Sequence, residues 1–323
     1  MIAMNRRRLM MGGKGEVLPT EALTCDVVFA SNEDGSLHVI RNQSDWPSSG
    51  YTPIGIVVIP GEHNVYGNGT CGVMSLKSMS YRDPDNGATS GTYMYWGGYG
   101  TDISSLTNYN KVITTSSNTT NTQSGGLSSN AYAYIPRQAA VDGTPSRSHS
   151  PYAPSPYVGS DYKSGGHNTL YSTTASNSGS NYNVLADFDG IINTKIITGL
   201  ATAQSNWKTD STITNNRGAG YYPAACCCAR YKTVGTKSGE WYLPAAGELG
   251  YIIPRLFDIN ATISALQTKY GNTVGVQLST DYDYYWSSSE CNNDDAYNVR
   301  TDDGYVGYDG KDGDYYVRAF LRL

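Results

Sequence analysis

The sequence predicts an α+β fold with short mixed or antiparallel strands, two or three helices and a long loop-rich insertion. Three observations predict it. Only 16% of the residues are charged and 39% are hydrophobic, a composition that favours strands and loops over helical bundles. Short apolar segments rich in β-branched residues precede residue 80. Helix-like periodicity appears only after residue 187, before a last segment that alternates as a strand does.

The strands of the first half are predicted from apolar runs bounded by turn residues. Cys25–Ala30 and Leu37–Ile40 flank the segment SNEDGS and predict a hairpin. Pro53–Pro60 (PIGIVVIP) is a continuous apolar run, which is typical of a central strand covered on both faces. Val73–Met79 and Thr92–Trp96 are two further strand candidates.

The helices are predicted in the second half. Tyr222–Tyr231 has a proline in its first turn, a position that helices accept. Asp187–Thr209 has apolar residues at helical spacing, and a second short helix is expected to open at Pro244. Ile259–Gly271 is a third amphipathic stretch, and its final glycine ends it. The alternating segment Tyr316–Leu323 predicts a terminal strand.

The chain is expected to contain a disordered segment over residues 1–20, a β-hairpin region over 21–50 and one larger domain over 51–323. An insertion rich in Ser, Thr, Asn and Gly interrupts that domain at about 104–183, and either disorder or a partner contact would account for it. No run resembles a signal peptide or a membrane span, so synthesis in the cytoplasm is expected. The six cysteines are expected to be reduced and mostly buried.

Residues 281–316 differ from the rest of the chain. Eight of these 36 positions are Tyr and nine are Asp. Tyrosine offers a large, rigid contact area with a polar tip and dominates antibody binding loops. The window has a net charge of −8, whereas the remainder of the chain is near +3. Such a surface repels nucleic acid and favours a basic or neutral polar ligand.

Motifs for catalysis and metal binding are absent from the sequence. None of the four histidines lies in a motif, and no GxSxG, HExxH, GxGxxG or phosphate-binding loop occurs. Cys226–Cys228 lack an activating partner and are expected to pack in the core. The aspartates of residues 281–316 are compatible with calcium binding. However, the segment 309–314 (DGKDGD) is only loosely similar to an EF-hand loop. We expect a non-enzymatic protein without a cofactor, with calcium as the alternative.

Five segments of the second half carry a family resemblance. They are, in order, Trp207, YPAACCCARY (222–231), GEWYLPAAGELGYI (239–252), YYWSSSE (284–290) and YYVRAFLRL (315–323). The series resembles the C-type-lectin-fold variable proteins of diversity-generating retroelements, whose founding relative is a phage tropism determinant. The chain lacks the EPN, QPD and WND motifs of calcium-dependent sugar binders. It also lacks the catalytic cysteine pair of the formylglycine-generating enzymes, which share the broad fold.

The resemblance implies a C-type lectin fold with a fixed scaffold and a variable C-terminal region. In such systems, random replacement of template adenines converts AAC codons into Tyr, Asp, Ser, Gly and other residues. The same process cannot produce Trp, Glu, Lys, Gln or Met, because the third base is not an adenine. Within 281–316 the excluded types occur only as Trp286, Glu290 and Lys311. The first two lie in the YYWSSSE segment, as scaffold residues should.

The function implied by the resemblance is non-enzymatic binding of a protein or glycan receptor on a cell surface, with diversity generated by the retroelement. The protein would belong to a phage tail fiber or another virion or cell-surface adhesion particle, and homo-oligomerisation stays open. A structural fibre or fimbria-like subunit is the first alternative, and an enzyme of the formylglycine-generating type is the second. The predicted ligand-facing residues are Asp281, Tyr282, Asp283, Tyr284, Cys291, Asn292, Asn293, Asp294, Asp295, Tyr297, Arg300, Asp302, Asp303, Tyr305, Tyr308, Asp309, Asp312 and Asp314. The predicted scaffold residues are Trp241, Leu243, Pro244, Glu248, Trp286, Glu290 and Arg318.

Overall fold

The protein has an α+β fold. Its structure is a computed structural model that describes residues 15–61, 66, 69–106, 184, 187–209, 213–252, 255–281, 283–300 and 306–323. The predicted insertion therefore lies almost wholly outside the described residues. The strands are β1 (Glu16–Val17), β2 (Val27–Ser31), β3 (Leu37–Ile40), β4 (Tyr51–Ile59), β5 (Gly72–Ser78), β6 (Met94–Tyr95), β7 (Tyr284–Glu290), β8 (Asp295–Arg300), β9 (Val306–Gly310), β10 (Asp314–Tyr315) and β11 (Arg318–Arg322). The α-helices are α1 (Gly190–Gly199), α2 (Pro223–Arg230), α3 (Ala246–Gly250) and α4 (Leu256–Tyr270).

The largest sheet has six antiparallel strands in the order β1-β3-β2-β4-β5-β11. The predicted hairpin β2–β3 is confirmed, and it belongs to this sheet. The predicted central strand PIGIVVIP is confirmed as well, since β4 lies between β2 and β5 and is buried from Pro53 to Ile59. The final strand β11 pairs with β5, so the last residues of the chain complete the sheet.

Apolar side chains cover both faces of this sheet. On one face Ile56 and Val58 join a core cluster with Ile259, Ile263 and Leu266 of α4. On the other face, Val57, Val73, Ala319 and Leu321 pack with the alanines and cysteines of α2. Burial of each large aliphatic side chain contributes about 1.5–3 kcal/mol relative to its exposure. The sheet is thus the rigid centre to which the smaller elements attach.

Three of the four predicted helical segments are confirmed and one is too long. Helix α2 starts at Pro223 and is buried throughout. The helix expected to open at Pro244 begins at Ala246 as α3. Helix α4 ends at Tyr270, before Gly271, whose φ of 97° suits glycine. The helix predicted over 187–209 ends at Gly199, and a short 3-10 turn follows at Thr202–Gln204. Glycine is a poor helix former, and the turn that follows it lets Trp207 return to the core.

Tyr242 forms a single antiparallel bridge with Phe320 of β11. That bridge covers the outer edge of β11. Arg318 of β11 is fully buried although the strand alternates. Its guanidinium donates hydrogen bonds to the carbonyl oxygens of Ser75, Leu76, Val276 and Gln277.

Two smaller sheets complete the described fold. Strands β7, β8 and β9 form an antiparallel sheet in that order, and β6 pairs with β10. A parallel bridge between Tyr285 and Tyr316 joins the start of β7 to the segment before β11. No helix within the described ranges is long and apolar enough to span a membrane.

Candidate ligand-binding surface

The sheet β7–β8–β9 contains most of the described residues of the window 281–316, and its two faces differ. Tyr285, Tyr297, Val299 and Val306 point to one face and join the core beside α4. Trp286 lies on the opposite face, because neighbouring residues of a strand point in opposite directions. The ends and edges of the sheet therefore supply its accessible positions.

Two indole groups connect this sheet to the segment around β6. The Nε1 of Trp286 donates a hydrogen bond to the carbonyl oxygen of Met94 at 3.0 Å. The Nε1 of Trp96 donates one to the carbonyl oxygen of Ser287 at 2.7 Å. Both tryptophans are buried, so each N–H is satisfied without water.

A buried ion pair lies beneath the hairpin of β7 and β8. The Lys311 Nζ is 2.5 Å from the Glu290 Oε1 and donates to the carbonyl oxygens of Thr101 and Asn293 at 2.6 and 3.0 Å. Glu290 accepts two further hydrogen bonds from the backbone N–H of Ile103. The Nζ also lies 5.0 Å from the ring centroid of Trp96. We call Trp96, Trp286, Glu290 and Lys311 the frame.

Burial acts on both members of this pair. It raises the pKa of Glu290 and lowers the pKa of Lys311, while their mutual attraction and the hydrogen bonds oppose both shifts. All three donor positions of the ammonium group are occupied by oxygen acceptors. The pair is therefore satisfied as a unit, and removal of one partner leaves the other charge buried.

Aromatic rings cluster where β7 begins. Tyr316 stacks on Tyr93 with centroids 4.4 Å apart and lies 5.5 Å from the ring of Tyr285. Gly91 makes room for it, since a Cβ there would approach the Tyr316 ring to 2.2 Å. The Tyr93 hydroxyl donates to the Asp283 carboxylate at 3.2 Å, and 45% of the Tyr93 side chain stays exposed. Tyr316 is thus fixed, and Tyr93 presents a ring to solvent.

A second set of rings lies on the Trp286 face of the sheet. Tyr315 packs edge-on against Trp286 at 4.7 Å and lies 5.2 Å from the ring of Tyr284. The Tyr315 hydroxyl donates a hydrogen bond to the Asp309 carboxylate. The Arg300 guanidinium lies 5.8 Å from the Tyr284 ring. We call the exposed and half-buried set Tyr93, Asp283, Tyr284, Arg300, Asp309, Tyr315 and Tyr316 the tyrosine surface.

The tip of the β7–β8 hairpin is organised by Asn292. Its side-chain oxygen accepts hydrogen bonds from the backbone N–H of Asp294 and of Asp295, at 2.7 and 2.9 Å. Its side-chain nitrogen donates to the Asp295 carboxylate at 2.8 Å. This geometry is that of an Asx turn, so Asn292 holds the turn. Asn293 at the tip is exposed.

The predicted ligand-facing residues divide into three groups. Most are exposed or half-buried, which agrees with a surface role. Those residues are Asp281, Asp283, Tyr284, Asn292, Asn293, Asp294, Asp295, Arg300, Tyr308, Asp309, Asp312 and Asp314. Tyr282, Asp302, Asp303 and Tyr305 lie outside the described residues.

Cys291 and Tyr297 form the third group and require a correction. Cys291 is 1% exposed and Tyr297 is fully buried, so neither side chain faces a ligand. Tyr297 lies on the face of β8 that packs on the core, with its ring 6.2 Å from that of Tyr308. The register of β7 and β8 is irregular between Trp286 and Glu290, so sequence alternation alone does not separate outward from inward positions.

The predicted scaffold residues are all buried: Trp241, Leu243, Pro244, Glu248, Trp286, Glu290 and Arg318. Glu248 accepts hydrogen bonds from the hydroxyls of Tyr66 and Tyr242, at 2.7 and 2.8 Å, and from the N–H of Ala245 at 2.7 Å. Arg322 lies 3.3 Å from the same carboxylate. Burial raises the pKa of Glu248, and these bonds stabilise its charged form.

Sequence reasoning missed five contributors, which are Trp96 and Lys311 of the frame and Tyr93, Tyr315 and Tyr316 of the tyrosine surface. Lys311 belongs to the frame and is buried. Lysine cannot arise from an AAC codon, so the sequence contained a signal that this position is fixed. Tyr93 and Tyr316 join the tyrosine surface. In the segment Thr92–Trp96, Met94 and Trp96 point inward, so strand alternation would have placed Tyr93 outward.

The remaining chemistry of the described residues is sparse. The six cysteines are unbridged, and five are buried. Burial raises the pKa of the Cys226, Cys227 and Cys228 thiols, which disfavours the reactive thiolate. Within the described ranges, no group of three His, Cys, Asp or Glu side chains is placed to hold a metal ion.

The chain matches no known family profile and no curated protein. Among solved structures it is similar to a fimbrial protein from Bacteroides ovatus, with a TM-score of 0.43 and 16% sequence identity. The match covers 93% of this chain and 49% of that chain, so this chain spans about half the length of that structure. A likeness of this degree decides neither fold nor function.

Proposed function

We propose that the protein is a non-enzymatic ligand-binding protein whose C-terminal surface is diversified on a fixed scaffold. The scaffold would be a C-type lectin fold, and the diversity would come from retroelement-driven adenine mutagenesis. The ligand would be a receptor on a cell surface, met by a phage tail fiber or by another adhesion particle.

One observation carries the proposal. Within 281–316, the residue types that an AAC codon cannot reach are Trp286, Glu290 and Lys311, and their side chains are 0%, 4% and 0% exposed. Every exposed or half-buried residue that the structure describes in this window is of a reachable type. A diversified surface requires this division, because positions that hold the fold cannot be randomised. An ordinary Tyr-rich surface has no reason to exclude Lys and Glu from its exposed positions, where both are usually common.

The contacts of the frame explain how such a surface would tolerate change. The two indole N–H groups and the Lys311 ammonium donate to backbone carbonyl oxygens. Glu290 accepts from Lys311 and from the backbone N–H of Ile103. Backbone acceptors are present whatever side chain a position carries. Exposed positions such as Tyr308 and Asp309 can therefore change without loss of a frame contact.

A structural subunit of a fibre or fimbria is the alternative. The structural neighbour described above is a fimbrial protein, which is compatible with this alternative without deciding it. In a fibre subunit the window 281–316 would be covered by a partner chain. Light scattering of the purified chain separates the two proposals, since a diversified binder is expected to leave this surface free in solution.

The coding sequence provides the decisive test. We expect codons that end in C at exposed positions such as Asn293, Tyr308 and Asp309. We also expect a near-copy of the stretch that encodes 281–323, close to a reverse transcriptase gene and different only at adenines. An exact copy, or none, would leave an ordinary lectin-like domain.

A further inference from the structure

A buried acceptor without a donor lies under the tyrosine surface. Asn298 of β8 is 2% exposed, and its side-chain oxygen has no hydrogen-bond partner among the residues that the structure describes. Buried polar groups are nearly always paired, so an orphaned one requires an explanation. A ligand that brings the missing donor is one such explanation.

The register of the sheet shows where this side chain points. Asn298 lies directly opposite Trp286 on β7 and Gly307 on β9. Directly opposed residues project from the same face of a sheet, so the three form a row across it. Gly307 has no side chain, so the row carries only two side chains. The indole N–H of Trp286 is already bonded to Met94, so it does not serve the orphaned oxygen.

Tyr315 spans this row. Its ring contacts Trp286 on one side of β8, and its hydroxyl reaches Asp309 on the other side. Asp309 shares the face of Gly307, which lies two residues before it. The Tyr315 side chain thus contacts residues of the two strands that flank β8, the strand that carries Asn298, and its own donor is engaged by Asp309. Tyr315 itself is half-buried, whereas the three residues of the row are buried.

The chemistry around the row selects a donor with a positive charge. The Asn298 oxygen and the Asp309 carboxylate are acceptors, and the rings of Tyr284, Tyr315 and Trp286 supply π faces. The face already holds one such group, since the Arg300 guanidinium lies 5.8 Å from the Tyr284 ring. Guanidinium groups are planar, stack on aromatic rings and donate several hydrogen bonds at fixed angles. A net charge of −8 over 281–316 attracts a cation to this end of the molecule.

We infer that the row of Trp286, Asn298 and Gly307 is the floor of a subsite for an arginine side chain of a protein ligand, with Tyr315 as its movable wall. The inference rests on the proposed function, because it names the ligand chemistry of the same surface. Asn298 would accept a hydrogen bond from the guanidinium, and Tyr315 would move aside and cover it.

The test measures binding of a fluorescent oligoarginine peptide to the full chain by anisotropy at physiological ionic strength. Asn298→Leu removes the acceptor and leaves the net charge unchanged. We expect it to weaken binding by about tenfold, with an unchanged or higher Tm because the orphaned oxygen is gone. Tyr315→Phe removes the hydroxyl bond that closes the wall, and about threefold tighter binding is expected.

Control variants and probes keep the outcomes distinct. Asn298→Ala replaces the leucine variant if the latter does not fold, and Phe257→Ala, an exposed aromatic of α4 outside this surface, should change nothing. Absence of oligoarginine binding by the wild-type protein overturns the inference. Equal affinities of wild type and Asn298→Leu for the peptide also overturn it, because they indicate long-range electrostatic attraction alone. Binding of a neutral oligosaccharide that depends on Asn298 would also overturn the assigned class. None of these results affects the test of the proposed function, which depends on the codons of residues 281–316 and on a near-copy of the coding stretch.

Discussion

The frame and the tyrosine surface come from the same stretch of chain and follow opposite rules. Glu290 and Lys311 are buried, and each side chain has several fixed partners. Tyr308 and Asp309, which lie between them in sequence, are exposed. One stretch of chain therefore contains buried positions with fixed partners and exposed positions beside them. We expect burial and the number of partners to decide which of these positions tolerate substitution.

The most severe test of the comparison contrasts a buried ion pair with an exposed one. Lys311→Met leaves the Glu290 carboxylate buried without its cation, so we expect a loss of about 3–5 kcal/mol in the free energy of unfolding. Arg217→Met breaks the Arg217–Asp312 pair, in which the arginine is 62% exposed, and about 0–1 kcal/mol is expected. Urea unfolding of both variants measures the contrast. Equal losses would remove the distinction between frame and surface.

A second test contrasts two tyrosines that face each other on neighbouring strands. Tyr297 is fully buried and Tyr308 is 49% exposed, and the two are opposed in the register of β8 and β9. Tyr297→Ala should cost about 3–5 kcal/mol because it opens a cavity in the core, and Tyr308→Ala about 0.5 kcal/mol or less. Thermal unfolding of the two variants gives the comparison. A small loss for Tyr297→Ala would return that residue to the ligand-facing group.

A third test uses pH to probe the attachment of β7 to α1. Asp187 accepts hydrogen bonds from the Ser289 hydroxyl at 2.7 Å and from Asn193 at 3.0 Å. Burial raises the pKa of Asp187 from 3.8 to about 6. The folded state therefore holds this proton more tightly than the unfolded state does. Its contribution to stability is complete below about pH 4 and is lost as pH rises through about 6.

Substitution isolates this contribution from the other carboxylates. In the wild type, Asp187 makes the free energy of unfolding about 2–3 kcal/mol larger at pH 4 than at pH 7. In Asp187→Asn we expect this contribution to be absent. Urea midpoints of wild type and variant across that range measure it. Phe257→Ala, a change at an exposed, non-titratable residue of α4 outside this network, is the control and should keep the wild-type profile. An unchanged profile in Asp187→Asn would mean that this carboxyl does not titrate in the range.

The sequence was sufficient for the elements that local pattern determines. The run PIGIVVIP predicts a strand because its apolar, β-branched residues suit no exposed structure, and Gly271 ends α4 because it adopts a positive φ. The residues excluded from AAC codons pointed to Trp286 and Glu290 as scaffold. The length of α1 was overestimated, because apolar spacing does not reveal that the chain turns back after Gly199.

Tertiary contacts account for what the sequence did not predict. Lys311 pairs with Glu290 only because β9 returns the chain to the start of the hairpin, which no spacing of 21 residues indicates. Tyr297 was predicted to face outward because the alternation of side chains along a strand assumes that one face of the sheet is exposed to solvent. Strand β8 is instead covered on both faces over most of its length. Tyr93 lies far from the window in sequence and reaches the tyrosine surface through the pairing of β6 with β10.

The most direct measurement is a comparison of two libraries in which codons are replaced by NNC. One library randomises the exposed positions Asp281, Asn293, Tyr308, Asp309 and Asp314 together. The other randomises the buried positions Trp286, Glu290, Tyr297, Val299 and Lys311. Selection for folded, protease-resistant protein followed by sequencing gives the fraction of members that survive. We expect most members of the first library to fold and almost none of the second. Similar survival in the two libraries would contradict this expectation.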